Sequence, residues 1–276
     1  MNTSCKICSS ETREIHQQTF GVYHVCDHCG FISKDKCDQI SEQDQLTIYN
    51  SHQNSIDDPV YVEYFDRFLN ESVFPYMGNE KKGLDFGSGP SPVLAQLLSD
   101  TYGYDMDIYD LFYSPQKSYL NKTYDLITVT EVVEHLENPL DYFALFREHL
   151  NENGVLAIMT HFHNNNDEDF LHWHYIRDRS HISFYNYRTF EVIAEKLHLK
   201  ILTTDHKKFI TFEKSVKLSE IKISAPAHRA LVNENITSIE QLSQYTEKQL
   251  LQLHGFGPKA IRILKEKGIQ LKQETE

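Results

Sequence analysis

The chain has 276 residues, of which 40% are hydrophobic and 24% charged, an ordinary globular balance that excludes a disordered or low-complexity protein. Its net charge of −13 is unevenly spread, because residues 215–276 hold nine Lys/Arg against seven Asp/Glu and the remaining residues are strongly acidic. An acidic body repels phosphate backbones, so only the C-terminal stretch is electrostatically suited to nucleic acid. No apolar run reaches the roughly 18–20 residues of a membrane helix, and the opening MNTSCKICSS lacks a basic, then apolar, leader pattern. A cytoplasmic protein with no membrane partner is expected.

All five cysteines fall within the first 37 residues. Cys5-Lys6-Ile7-Cys8 and Cys26-Asp27-His28-Cys29 are two knuckles seventeen residues apart, the spacing of a zinc ribbon. Two thiolates from each knuckle complete a closed tetrahedral Zn²⁺ site, which leaves no open position and is therefore structural. A segment this small has little core, and metal binding supplies its folding free energy. Residues 1–38 are expected to form the ribbon, with Cys37 outside the ligand set.

Residues 39–214 alternate short apolar runs with helical periodicity, the pattern of an α/β sheet domain. Asp57-Asp58-Pro59 opens a helix running through VYVEYFDRFLNESVF. Strands are predicted at Gly83–Phe86, over DMDIYD ending at Asp110, over YDLITVT, and over VLAIMT after a turn at Asn151-Glu152-Asn153-Gly154. PVLAQLLSD, PLDYFALFREHL and YRTFEVIAEKLHL are predicted helices, and KILTTDHK leads towards a last strand. The expected class is α/β, a doubly wound Rossmann-like parallel sheet. A linker is expected over Glu213–Ser219, followed by a small all-α domain at 215–276.

Leu84-Asp85-Phe86-Gly87-Ser88-Gly89-Pro90 sets an acid at the end of a buried strand, then two glycines in the turn that opens a helix. Glycine there lets a ligand approach bare backbone, and the helix N-terminus offers amide donors. Asp110 closes the second strand, where such sheets place a carboxylate on ribose hydroxyls. YDLITVT then runs into Glu131-Val132-Val133-Glu134-His135. Together LDFGSGP, IYD and YDLITVTEVVEHLENP resemble the motifs of the class I S-adenosylmethionine-dependent methyltransferases, over roughly Gly83 to Leu202. The resemblance implies methyl transfer, S-adenosylmethionine as cofactor, cofactor contacts from Asp85, Gly87, Gly89, Asp110 and Glu131, and pocket positions for Glu134 and His135. The third glycine of the family's first motif is Ser91 here. About a dozen residues separate Asp110 from Tyr124, too few for the family's third strand, so no adenine contact is assigned. A nicotinamide-dependent oxidoreductase is the less fitting reading, because its fingerprint needs glycine where Pro92 stands.

The segment HFHNNNDEDFLHWHYIRDRSHISFYNY follows the VLAIMT strand and is rich in histidine and aromatics. Ligands of open α/β sheets bind at the carboxyl ends of strands, so His161, His163, His172, Trp173, His174 and His181 are expected to wall the acceptor pocket. His135 or His181 is the candidate general base, and the two His-x-His pairs are candidates for a second metal.

In the tail, two amphipathic helices flank His254-Gly255-Phe256-Gly257-Pro258-Lys259. This stretch resembles the helix-hairpin-helix module and the helical domain ending bacterial RNA polymerase alpha subunits. The resemblance implies phosphate contacts from the amides of Gly255 and Gly257, with Lys259, Arg262 and Lys265 as local cations. A non-catalytic nucleic-acid-binding protein using ribbon and hairpin is the alternative. The methyl acceptor, a small molecule or a nucleic acid, is not legible.

Overall fold

The computed structural model describes residues 3–51, 55–215 and 218–273, and the protein folds into two compact units, 1–214 and 215–276. The first begins with three short strands, β1 (Arg13–Gln17), β2 (Gly21–Val25) and β3 (Ile32–Lys34), paired antiparallel in that order. Helix α1 (Glu42–Tyr49) follows, capped by Ser41, and buries none of its residues. Helix α2 (Pro59–Ser72) starts on Asp58, whose carboxylate accepts the amides of Val60 and Tyr61, with Pro59 in the first turn, where no amide donor is needed.

The main sheet is built from β4 (Lys82–Phe86), β5 (Asp105–Tyr109), β6 (Tyr124–Thr130), β7 (Leu150–Met159), β9 (Leu199–Thr204) and β10 (Phe209–Lys214), in the order β5-β4-β6-β7-β10-β9. The first four are parallel, but β10 runs antiparallel to both β7 and β9, so the expected all-parallel sheet is mixed. A short link, Asp205–Lys208, turns β9 back into β10; so tight a connection joins antiparallel strands, whereas a parallel pair needs a long crossover. Helices α2 and α3 (Val93–Asp100) pack on one face around Phe65, Phe68, Leu94 and Leu98. Helices α4 (Pro139–His149) and α6 (Tyr187–Leu197) cover the other, around Phe143, Phe146 and Phe190.

Three expectations change. Asn151–Gly154 is not a free turn but part of β7, where the pairing with β6 shifts register between Tyr124 and Leu126, and Asn153 takes φ 61°. Such a bulge absorbs extra residues without ending the strand. The N-terminal segment is not set apart at residue 38: β8 (Ser183–Phe184), between α5 (Asp167–His172) and α6, adds a fourth strand beside β3. Cys5, Ile7, Cys26, Cys29 and Phe31 join the same core cluster as α4 and α6. The expected linker begins inside β10, which takes Glu213 and Lys214, and Leu218 and Ser219 lie in a 3-10 turn; its Val216 and Lys217 lie outside the described residues.

The second unit has helices α7 (Ala225–Asn233), α8 (Ile239–Leu242), α9 (Glu247–Leu251) and α10 (Pro258–Glu266) around Leu231, Leu242, Leu250 and Leu264.

Candidate active site

The glycine bend lies at the carboxyl end of β4. The amides of Gly87 and Ser88 both donate to the Tyr109 carbonyl, at 2.7 and 3.2 Å, which ties the bend to the end of β5. Gly87 has φ +85°, and a Cβ there would stand 2.2 Å from Val132 Cγ2. What excludes a side chain at Gly87 is therefore the protein's own Val132, not a ligand. Gly89, at φ +67°, faces open space: a Cβ there would meet no atom within 4 Å, so this is where a ligand can approach bare backbone.

Asp110 points at the bend. Its Oδ2 accepts the Gly89 amide at 2.9 Å, and its Oδ1 accepts the amides of Phe112 and Tyr113 at 2.9 and 3.0 Å. Asp85 lies beneath, 2% exposed, accepting the Thr128 hydroxyl at 2.9 Å. Burial away from water pushes its carboxyl up to about 7, against the Thr128 bond and an Ala95 amide bond that favour the charged form. Asp85 thus braces β4, β6 and the first turn of α3. The Ser88 hydroxyl is buried with no hydrogen-bond partner among the described residues.

A cleft of 960 Å³ runs from this bend past Tyr61, Tyr64 and Tyr142 to Glu131, His135 and His181. Glu131 takes φ 54° after the last residue of β6, which turns its side chain into the cleft. It accepts the Tyr64 hydroxyl at 3.0 Å and pairs with Lys208 at 2.7 Å. Desolvation opposes its charge, but Lys208, with hydrogen bonds from Glu134 and Tyr64, holds the carboxyl below its usual value. Glu134, three residues on, is fully buried; its Oε1 accepts the Tyr175 hydroxyl at 2.5 Å and its Oε2 has no partner among the described residues. Burial, then the Glu131 charge, pushes its carboxyl well above the ordinary range.

His135 and His181 meet edge to face, ring centroids 4.8 Å apart. His135 Nδ1 lies 3.1 Å from the Ser180 carbonyl and His181 Nδ1 2.8 Å from the Tyr175 carbonyl. A carbonyl only accepts, so both rings carry their proton on Nδ1 and leave Nε2 with a lone pair. Desolvation lowers both, His135 to about 4, so both are neutral near pH 7.

The rest of the histidine-rich segment does not wall this cleft, of which it supplies only Asp178, His181 and Ile182. His163 is turned towards the N-terminal sheet, with Nε2 2.9 Å from the Gly30 carbonyl and Nδ1 accepting the Asn165 amide. That leaves no lone pair for a chelate with His161. His172 and His174 lie on a helix end and a 3-10 turn, not on a strand, so they do not share a face as expected. Tyr61, Tyr64 and Lys208 line the cleft without any warning in the sequence, since a helix tyrosine or a loop lysine carries no motif.

The four knuckle sulfurs converge. Cys5 and Cys29 Sγ are 3.5 Å apart, Cys8 and Cys26 Sγ 3.4 Å, and all four lie within 4.8 Å of one another. Tetrahedral Zn–S bonds give edges of roughly 3.8 Å, so this donor set fits Zn²⁺. The second knuckle is fastened to the main unit: the Thr189 hydroxyl donates to the Cys29 carbonyl at 3.0 Å, and Gly30, at φ +74°, packs on Asn186.

In the second unit, Gly255 has φ +92° and a Cβ there would lie 3.0 Å from Pro226, whereas Gly257 faces open space at the start of α10. Lys259 and Arg262 are exposed; Arg262 pairs loosely with Glu266 at 3.4 Å and Lys265 pairs with Glu247 at 2.5 Å.

Among known proteins, residues 206–267 match the family model for the C-terminal domain of the bacterial RNA polymerase alpha subunit, a match whose first residues belong to the β9–β10 hairpin. No curated protein matches this sequence. Solved structures similar to it include an O-methyltransferase family protein from Burkholderia thailandensis, 13% identical over 58% of this chain with TM-score 0.44. A putative sarcosine dimethylglycine methyltransferase from Galdieria sulphuraria is 15% identical over 63% of this chain and 97% of its own, with TM-score 0.47. The chain spans 58% of the length of the Burkholderia protein. The methyltransferase-domain family model matches residues 60–204, more than half of the chain and the whole stretch from α2 through β9, and the protein belongs to that family.

Proposed function

We propose that the protein transfers a methyl group from S-adenosylmethionine to an acceptor bound in the same cleft. The observation that carries this reading is one continuous cleft joining the Gly87–Gly89 bend and Asp110 to Glu131, His135 and His181. The residues fit the cofactor: the space over Gly89 admits its backbone approach, the unpartnered Ser88 hydroxyl awaits a polar group, and Asp110 Oδ2 keeps one lone pair for a ribose hydroxyl. When bound, the cofactor supplies an electrophilic methyl carried on a sulfonium. The acidic lining of Asp110 and Glu131 suits that positive charge and disfavours a pyrophosphate. His135 or His181 takes the acceptor's proton through Nε2, and the cleft's aromatic walls hold the acceptor in line, which itself supplies much of the rate. Zn²⁺ holds the four knuckle cysteines as a structural site. The Gly255–Gly257 turn with Lys259 and Arg262 contacts a nucleic acid, a reading supported by the match to the polymerase alpha-subunit domain. The work is cytoplasmic. The acceptor is either that nucleic acid or a small molecule.

Titration calorimetry of the full-length protein with S-adenosylmethionine tests this reading. Micromolar binding, abolished in Gly87→Arg, supports it; no binding by the parent protein ends it. Labelled cofactor incubated with cell extract, followed by mass spectrometry of protein, RNA and small-molecule fractions, then names the acceptor class.

A further inference from the structure

We propose that Glu134, His135 and His181 form a divalent-cation site in the wall of the cleft, separate from the four cysteines. Each offers a ligand atom within 4.8 Å of the other two. The cluster is prepared in a way that chance packing of histidines is not. Both rings are held by Nδ1–H bonds to backbone carbonyls, those of Ser180 and Tyr175, which fixes ring orientation and leaves Nε2 as the lone-pair atom. That second-layer bonding is how imidazole ligands are oriented in metal sites. Glu134 presents the independent observation: its Oε2 is fully buried with no hydrogen-bond partner among the described residues. A buried carboxyl oxygen without a close partner is costly, and a cation that replaces the carboxyl's proton removes the cost.

Two imidazoles and one carboxylate suit a borderline divalent ion such as Mn²⁺, Fe²⁺ or Zn²⁺, and three protein ligands leave positions open. His135 and His181 line the cleft, so the open positions face the acceptor. What the ion does there rests on the methyltransferase reading. Bound to an acceptor hydroxyl, it would lower that group's pKa and so ease the loss of its proton. This assigns the acceptor to oxygen nucleophiles, and because the ion takes both Nε2 lone pairs neither histidine is then the base: the hydroxyl's proton passes to water in the cleft.

Whether the ion binds does not depend on methyl transfer, so the test omits cofactor and acceptor. Mn²⁺ is the probe, because its preference for oxygen and imidazole keeps it out of a thiolate cage. Full-length protein is titrated with Mn²⁺ and free ion is counted by electron paramagnetic resonance. One ion per protein molecule is expected, with binding weakened about tenfold or more in Glu134→Gln and in His181→Ala, and unchanged in His174→Ala on the exposed part of the same segment. Should either variant fail to fold by circular dichroism, His135→Asn, at the cleft surface, replaces it. No Mn²⁺ bound at millimolar concentration, or equal binding by the folded variants, overturns the proposal.

Discussion

The two units each turn on a pair of glycines two residues apart, and the pairs are alike at the first position and unlike at the second. Gly87 and Gly255 both sit at positive φ, +85° and +92°, and both are pressed by a neighbour from the same unit, Val132 and Pro226. Gly89 is also at positive φ, +67°, but Gly257 has φ −112°, a conformation any residue adopts. In each pair the first glycine is required by packing inside the protein and the second opens onto free space. Their surroundings then diverge. Asp85 and Asp110 flank the first turn, while exposed Lys259 and Arg262 follow the second. A glycine pair therefore states only that backbone is accessible; the charges around it decide which ligand is admitted.

The largest effect is expected from Gly87→Ala. Its Cβ enters at 2.2 Å from Val132 Cγ2 in a backbone conformation that L-residues avoid, so the cost is about 2–5 kcal/mol of stability. Cofactor binding is expected to fall with it. Gly87→Ala combined with Val132→Ala should recover the steric part and leave the strain of positive φ, about 1–2 kcal/mol. Urea denaturation of the three proteins checks this; equal stability of the single and double variants would show that Val132 does not press on the bend.

Next comes a pH effect confined to the first turn. Burial raises the Asp85 carboxyl to about 7, so the folded protein keeps a proton that the unfolded chain releases near pH 4. Between those values the folded state binds more protons, and stability falls as pH rises, by up to roughly 1.4 kcal/mol per pH unit from this group. Asp85→Asn keeps an acceptor for Thr128 and removes the titration. Going from pH 4.5 to 7.5, the unfolding free energy should rise more, or fall less, in Asp85→Asn than in the parent; an identical change in both would place the Asp85 pKa in the ordinary range.

How much of this is legible in the residues follows from how local each cause is. Helix α2 is readable because Asp58 and Pro59 carry its start in themselves. The bend and Asp110 are readable because motif and spacing are local, and the knuckles because paired cysteines have one dominant use. The reason for Gly87 is not, since it depends on Val132, far along the sequence. Strand β8 is two residues with no pattern of its own, and it exists because β3 offers an edge. The sequence places the histidine-rich segment after β7 but does not carry its direction: His163 turns to the Gly30 carbonyl, a choice made by residues from the opposite end of the unit. Of the histidines in that segment, His181 alone lines the cleft, edge to face with His135.

In the second turn the effects are smaller. Gly255→Ala meets Pro226 at 3.0 Å with φ +92° and should cost about 1–3 kcal/mol, seen as faster amide hydrogen exchange across residues 218–273 of the full-length protein. Gly257→Ala should cost a few tenths, because its φ and its space are both permissive. If both substitutions loosen the unit equally, the division into a packing glycine and an opening glycine fails here.

The smallest effect is the one that decides the charge half of the comparison. Lys259 is exposed at the start of α10, while Lys265 is already engaged by Glu247 at 2.5 Å. If the turn holds a phosphate, Lys259→Gln should weaken binding of an unspecific DNA or RNA by a few-fold and lower the slope of log K against log salt by about 1. Lys265→Gln should change that slope less, because breaking its ion pair frees Glu247 but removes a cation that was not available to the phosphate. Fluorescence anisotropy of the full-length protein across a salt series measures both. Equal slopes for Lys259→Gln and the parent would mean that the open backbone at Gly257 faces something other than a nucleic-acid backbone, and the two turns would then differ in charge without differing in ligand.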